Sequence, residues 1–430
     1  SVGTEDPGMN LPLGDGTVPV SLDAVDATVA RAPGGDGVDV PVAARSALAD
    51  PHGPRLRDRA SAGDTVAIVV TDGTRAVPTD VLLTGLLDEL DAAGVARDQV
   101  TVVVGLGLHR PMTDAELDEM LGEHADLAAN HDPDDVVAVG DVDGVTIELD
   151  RTVADADLVA ATGVVEPHQY AGFSGGAKTV VVGAGSESQI GYTHGPDLLA
   201  RDGVRLGRVE HNPFREFLDR AGDLAGPDFC VNVTKGPQGV LGVAAGDPRA
   251  VVRDLAATAR DALSVPIPDD ETYDAVVAGV GAPKDANLYQ ATRAATYVAL
   301  GDRNPLAAPA THADRGAGSA RGRIVVPAEL PEGAGDGTGE RRFHDWLSNA
   351  SDADALYREM KAGYEAGAQR AFVVARVLRD HDVHVTNSQH PDVVDDCLMH
   401  AADSVEDALD PGSDVLVVPD ALNTLLVREG

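Results

Sequence analysis

The chain has 430 residues, of which 71 are Asp or Glu and 33 are Lys or Arg, for a formal net charge of −38. So acidic a chain excludes nucleic-acid binding through a phosphate-seeking surface. A hydrophobic fraction of 43% supports a core large enough for two domains of ordinary size.

The acidic residues are spread along the whole length rather than gathered in a tail. That pattern suits an acidic hydration surface of the halophilic kind, so a saline-adapted cytoplasm is expected. No apolar run reaches membrane-spanning length, and no basic, apolar leader opens the chain. A soluble cytoplasmic protein without nucleic-acid or membrane partners is the expectation. Cys230 and Cys397 give neither a disulfide framework nor a thiolate metal cluster. Lysine is scarce: Lys178, Lys235, Lys284 and Lys361 are the only four, so each one retained asks for a reason.

In chain order, "DTVAIVV" (64–70) reads as a buried strand, followed by "TDGTRAVP" and a helix with Leu83, Leu86, Leu87 and Leu90 on one face. "QVTVVVG" (99–105) is the next strand. "LGLHRPM" follows it, then a helix opened by the capping box Thr113 to Glu116. "ADLVAATGVV" (156–165) is a third strand. Asn212 and Pro213 open a helix with Phe214, Phe217 and Leu218 at helical spacing. A helix ending near Leu263 leads into "SVPIPDDE", read as a linker held extended by Pro266 and Pro268. "YDAVVAGVGA" then starts a second domain with a helix over 288–300, a polar loop over 301–322, and the strands "RIVVPAEL", "DVHVTNS" and "DVLVVPD".

This alternation predicts an α/β fold of two domains, each a largely parallel, Rossmann-like sheet flanked by helices, with an active-site cleft between them. The expected division is 1–268, a cofactor-binding and catalytic domain, and 269–430, an α/β domain contributing substrate-site residues. The last residues are expected to be able to pack back on the first domain.

Four polar clusters each follow a strand: Asp72 to Arg75, Gly107 to Arg110, Glu166 to His168, and Lys284 to Gln290. Open α/β sheets bind ligands outside the carboxyl ends of their strands. His109 and His168 suit acid/base work near neutral pH. Arg75 and Arg293, with Gln290, suit a carboxylate and its neighbouring oxygen. Taken singly, each histidine is as well explained by a satisfied surface or core role, and Arg75 by a surface ion pair. Together they point to a site.

"GFSGGAKT" (172–179) approaches the phosphate-loop pattern, with Ala177 in place of its last glycine. The context argues against it. Five residues separate the strand from Gly172, and the β-branched "TVVVG" after Lys178 is a poor helix start. Lys178 is left as an ion-pair partner, a phosphate counter-charge or an amine nucleophile. His194 follows sixteen residues later without companion ligands at zinc-site spacing. His381, His384, His390 and Cys397 fit no usual zinc pattern, and the histidines are read as surface residues.

"DGTR" (72–75), "GLGLHR" (105–110), "EPHQYAGFSGGAK" (166–178), "GYTHGP" (191–196) and "PKDANLYQATRA" (283–294) together resemble the lactate racemase family, and the resemblance extends over nearly the whole chain. A haloarchaeal-type member fits the charge. The resemblance implies an isomerase that carries a nickel-pincer nucleotide, a pyridinium-3-thioamide-5-thiocarboxylic acid mononucleotide with Ni. It implies Lys178 as the covalent tether, His194 as the nickel ligand, and Asp72, Thr74, Gly175 and Gly176 beside the cofactor. It further implies His109 and His168 as the acid/base pair, and Arg75, Tyr289, Gln290 and Arg293 at the substrate. Cofactor-biosynthesis proteins would be transient partners, and a small 2-hydroxy acid the substrate.

One departure stands out. Arg293 occupies a position where the family carries lysine, and Arg is not equivalent to Lys at a binding site. A malate, a sugar acid or an aromatic lactate therefore stands beside lactate as the expected substrate. A phosphate-loop nucleotidase and a non-catalytic cofactor carrier are the competing readings. The two histidines argue against the carrier.

Overall fold

The computed structural model describes residues 2–3, 8–307 and 321–429. The chain forms two compact units, one of residues 34–194 and 201–262, the other of the residues up to Pro33, Gly195–Ala200 and Leu263 onward. This differs from a single division after residue 268 in three places, one of them being residues 263–268, which fall with the C-terminal residues. The N-terminal strands group with the C-terminal residues because Asp26–Ala30 pairs in parallel with Asp414–Val418. The one-turn helix Pro196–Leu199 joins them too, its Leu199 carbonyl accepting from Arg376.

The unit of residues 34–194 and 201–262 is built on a six-stranded sheet. Its order is Gly239–Gly246, Phe229–Gly236, Leu158–Val164, Val66–Thr71, Val100–Gly105 and Ala128–Asn130. All pairs are parallel except the first, a hairpin. The strand Leu158–Val164 is buried along its whole length, as is Val66–Thr71 up to Val70. That is why both read as continuous apolar runs rather than alternating ones. Helix Thr79–Ala92 buries Leu82, Leu83, Leu86 and Leu90 against this sheet's core, while Leu87 is only partly buried. Each such leucine contributes about 1.5–3 kcal/mol on burial.

Register decides where the chemistry goes. Thr71 lies opposite Gly105, and Ala161 opposite Val69, so the strand ends 71, 105 and 164 share one edge of the sheet. The loops carrying Asp72, Thr74, Arg75, His109, Glu166 and His168 all leave from that edge.

The other unit carries a second sheet: Val2–Gly3, Asp26–Ala30, Asp414–Val418, Ala275–Ala278, Arg323–Pro327, Asp382–Thr386 and His400–Ala402, parallel beyond its first pair. Helix Leu288–Ala299 packs on it, started by Asn287, whose side chain accepts from the Gln290 amide. Residues 264–267, expected to link domains, are extended but pair in parallel with Leu425–Arg428 within this unit. The part of the polar loop 301–322 that covers 308–320 lies outside the described residues. The three histidines read as surface residues do not share one environment. His381 and Cys397 are buried, and burial pushes the Cys397 thiol up to about 12. His384 and His400 place their rings 4.8 Å apart at the sheet edge.

Candidate functional site

Asp72 sits just past strand Val66–Thr71 and is buried. Its Oδ2 lies 2.6 Å from His109 Nδ1, and its Oδ1 accepts from the Thr74 hydroxyl at 2.5 Å and the Thr74 amide at 3.1 Å. Burial pushes the Asp72 carboxyl up, but the hydrogen bonds from His109 and Thr74 outweigh it and hold the pKa below its ordinary value. The carboxylate therefore accepts, and neutral His109 carries its hydrogen on Nδ1. Its Nε2 lone pair is left for chemistry, on a ring whose side chain is 63% exposed.

His168 is held in the opposite sense. It lies in a two-strand hairpin, paired with Gly172 across Pro167–His168 and Gly172–Phe173. Its Nδ1 accepts from the amides of Tyr170 and Ala171, both at 3.2 Å. Neutral His168 thus carries its hydrogen on Nε2. The ring packs edge-on to Tyr170 at 5.5 Å and lies 6.2 Å from Phe214. Tyr170 and Phe214 in turn meet the His194 ring at 5.7 and 5.5 Å, so the two aromatics gather both histidines into one cluster.

The loop between them turns on glycines. Gly172, Gly175 and Gly176 have φ of +75°, +80° and +58°, a region that side chains enter at a cost. A Cβ on Gly172 would collide with the Arg208 backbone. Asn232 accepts from the Gly176 amide at 2.9 Å. Arg215, fully buried on helix Pro213–Ala225, donates to the Phe173 carbonyl at 2.5 Å and the Gly175 carbonyl at 3.3 Å. The helix itself begins as the sequence predicts, with Asn212 accepting from the Phe214 and Arg215 amides.

Lys178 closes this loop. It starts a one-turn helix, Lys178–Val181, where the β-branched run predicts none. Burial of Val180 and Val181 in the core outweighs their weak helix propensity. Burial and the charges of Arg75 and Arg215 lower the Lys178 pKa to about 7, against smaller opposing effects of Glu166 and Asp72. Much of this amine is neutral at neutral pH and therefore nucleophilic.

His194 ends helix Glu187–Thr193. Its Nδ1 lies 3.1 Å from the Ile190 carbonyl and 2.9 Å from the Thr193 hydroxyl, which leaves Nε2 as its lone-pair nitrogen. Burial and the Lys178 charge lower its pKa to about 4, so the ring is neutral and able to bind a metal at neutral pH. No group of three His, Cys, Asp or Glu side chains able to hold a metal occurs among the described residues.

Arg75 is an ion-pair partner of Glu166 through Nη1. On the other unit, Tyr289, Gln290 and Arg293 lie on helix Leu288–Ala299. Within the cluster Lys284 to Gln290, Asp285 is buried and accepts from the Gly14 amide at 2.7 Å, a structural role. Sequence reading missed Arg215, Asn232 and the pairing of Glu166 with Arg75. It also missed Asp72 as the partner of His109. No local pattern marks any of these, since the partners lie 37 to 91 positions apart.

Residues 19–207 match the family description "Lactate racemase N-terminal domain" and residues 269–427 "Lactate racemase C-terminal domain". The lactate racemase of Thermoanaerobacterium thermosaccharolyticum is 28% identical over 409 residues, covering 90% of each chain. That of Lactiplantibacillus plantarum is 28% identical over 395 residues, covering 86% of this chain and 87% of that one. Among solved structures, the lactate racemase apoprotein from T. thermosaccharolyticum superposes with a TM-score of 0.81 at 23% identity, covering 98% of this chain and all of that one. A Thermotoga maritima protein shares the fold with a TM-score of 0.60 at 18% identity, covering 91% and 97%. No helix among the described residues is long and apolar enough to cross a membrane. The chain belongs to the lactate racemase family of isomerases.

Proposed function

We propose that this protein racemises or epimerises a small 2-hydroxy acid at Cα, with lactate as the reference substrate. The observation that carries this reading is the opposite setting of the two histidines. Asp72 leaves His109 with a free Nε2 lone pair, and two backbone amides leave His168 with an Nε2 hydrogen. One base and one donor are what inversion at a carbinol carbon asks of a protein.

The residues present also fit the nickel-pincer nucleotide. Among the described residues no complete ligand set occurs, and His194 offers one neutral imidazole, so donors on a cofactor would supply the rest of a nickel site. Lys178, with its lowered pKa, would be the covalent tether. Gly175 and Gly176, whose positive φ shapes the turn before Lys178, would stand beside the nucleotide with Asp72 and Thr74. When bound, this cofactor supplies the hydride acceptor.

The chain's own groups then handle the proton and the charge. Arg75 orients the substrate carboxylate while Glu166 fixes the guanidinium from its far side. Tyr289, Gln290 and Arg293 are assigned to the substrate as well. His109 Nε2 takes the hydroxyl proton. His168 would donate its Nε2 hydrogen to the substrate oxygen in the return direction, as a neutral imidazole does when it acts as an electrophile. Exchange with solvent restores both rings, and the open setting of His109 allows it.

The test is a screen of single-enantiomer 2-hydroxy acids against protein produced with the cofactor-maturing enzymes. Loss of optical rotation for at least one acid is expected, together with a covalent adduct in the intact mass that disappears in Lys178→Ala. An unmodified mass, or an adduct that survives Lys178→Ala, would refute the tether. Nickel-loaded protein that inverts none of the acids would refute the activity.

A further inference from the structure

In a chain with 71 acidic residues, a buried arginine should find a carboxylate easily. Among the described residues three arginines are buried: Arg215, Arg303 and Arg370. Arg215 lies 3.5 Å from Asp219, and Arg303 lies 3.7 Å from Asp269. Both also donate to main-chain carbonyls. Arg370 has neither kind of partner among the described residues. It is 9% exposed, its Nε and Nη1 are buried without a hydrogen bond, and its guanidinium lies 4.6 Å from the centre of the Tyr289 ring.

A guanidinium keeps its charge under all ordinary conditions, so burial cannot be relieved by losing a proton. The ring face offsets part of the desolvation and satisfies no N–H. Position adds to the cost. Arg370 stands in the first turn of helix Gln369–Asp380, whose N-terminus has no side-chain cap, and a cation is unfavourable at that end of the dipole. An anion placed there would meet the guanidinium and the dipole together.

A second guanidinium accompanies it. Helix Gln369–Asp380 packs on helix Leu288–Ala299, where Arg293 follows Tyr289 by one turn on the same face. Arg293 Nε is likewise buried without a partner, and no carboxylate pairs with this arginine among the described residues.

We infer that Arg370 and Arg293, beside Tyr289, form an anion site in the C-terminal unit whose two unneutralised guanidinium groups suit a small dicarboxylate. This rests on the reading of the protein as a 2-hydroxy acid racemase. It narrows the substrate to 2-hydroxy acids bearing a second carboxylate, the class to which malate belongs. A lactate-type monoanion, its one carboxylate held by Arg75, would leave both guanidinium groups without a counter-charge.

The experiment is calorimetric titration of the full chain with each enantiomer of malate and of lactate, in the parent, R370Q and R370K. The parent should bind one malate enantiomer at least tenfold more tightly than either lactate. R370Q should cut that preference below threefold, and R370K, which keeps the charge but not the planar fork, should fall between. A parent with equal affinities, or an unchanged preference in both variants, would overturn the inference. Thermal unfolding of ligand-free R370M guards against a purely structural role. Its Tm should match or exceed the parent's, because an unpaired buried charge has been removed. A clearly lower Tm with the malate preference intact would assign Arg370 to the fold and also overturn the inference. Racemisation is read separately on nickel-loaded protein. Malate bound but not inverted would leave the anion site and refute the racemase reading, while lactate inverted without any dicarboxylate preference would do the reverse.

Discussion

His109 and His168 leave the same edge of one sheet, yet their surroundings are opposite. His109 sits on an open loop and is oriented by one buried carboxylate, Asp72. His168 sits in a hairpin among aromatic rings and is oriented by two backbone amides. The difference lies in what each neighbour can do. A carboxylate accepts a hydrogen and supports a ring that gains charge. Amides only donate, and they disfavour a ring protonated on both nitrogens. Two residues of one type are thereby given two opposite hydrogen-bonding settings by their neighbours alone.

The largest effects should come from removing either ring. His109→Ala and His168→Ala should each lower kcat for racemisation by roughly 10²- to 10⁴-fold while nickel content stays at the parent level. Metal analysis beside polarimetry checks this. Turnover retained in one of the two variants would break the comparison by showing that only one histidine handles protons.

A sharper and smaller test leaves the rings in place. Asp72→Asn keeps the shape of the side chain, but the Thr74 amide claims the carboxamide oxygen and leaves the NH2 facing His109 Nδ1. The Nδ1 hydrogen is then disfavoured, and kcat should fall by about a hundredfold with little change in KM. No equivalent substitution exists at His168, whose orienting groups are backbone. There the route is Gly172→Ala, where the added Cβ meets the Arg208 backbone and the φ of +75° disfavours it. That variant should disturb the whole hairpin rather than one tautomer.

How much of this could be read in the sequence follows from the range of each interaction. The strands over 66–71, 100–105 and 158–164 are legible as apolar runs, and the polar residues after them as leaving one edge of the sheet. The capping box at Thr113 and the helix start at Asn212 are local, and both form as the sequence predicts. The hairpin of Phe229–Gly236 and Gly239–Gly246 was not legible, because its second strand is glycine-rich and half-exposed over much of its length. Nor was the grouping of Asp26–Ala30 with a strand nearly 400 residues later. The site divides the same way. The identities of His109, His168, Lys178 and His194 stand out in motifs. What sets their chemistry (Asp72 under His109, Arg215 behind the lysine loop) depends on closure of the parallel sheet.

Arg215 extends the comparison from the histidines to the lysine. Its two carbonyl contacts hold the Gly172 to Lys178 turn, and its charge is one of the causes, after burial and Arg75, that lower the Lys178 pKa to about 7. Arg215→Met removes a positive charge that disfavours the ammonium, so the folded pKa must rise. Labelling of Lys178 by an amine-reactive reagent, read by peptide mass against pH, should have its midpoint near 7 in the parent and higher in the variant. Unfolding should cost about 1–3 kcal/mol less, because two buried carbonyls lose their donors. A loss of stability with an unmoved labelling midpoint would mean that Arg215 only holds the loop.

The smallest effect belongs to the loop that carries His109. Thr113 caps helix Asp114–Leu121 by accepting from the Glu116 amide, while Glu116 reaches back to the Thr113 amide at 2.8 Å and pairs with Arg110 at 2.6 Å. Arg110 is the residue next to His109, so the cap and the loop that carries His109 are joined through one carboxylate. Thr113→Ala removes one half of the capping box and should destabilise the protein by about 1 kcal/mol, read as a shifted denaturation midpoint with an unchanged slope. Asp72 is untouched by this change, so the His109 tautomer and kcat should be preserved. A fall in kcat comparable to that of Asp72→Asn would mean that the open loop, not the buried carboxylate, sets the base.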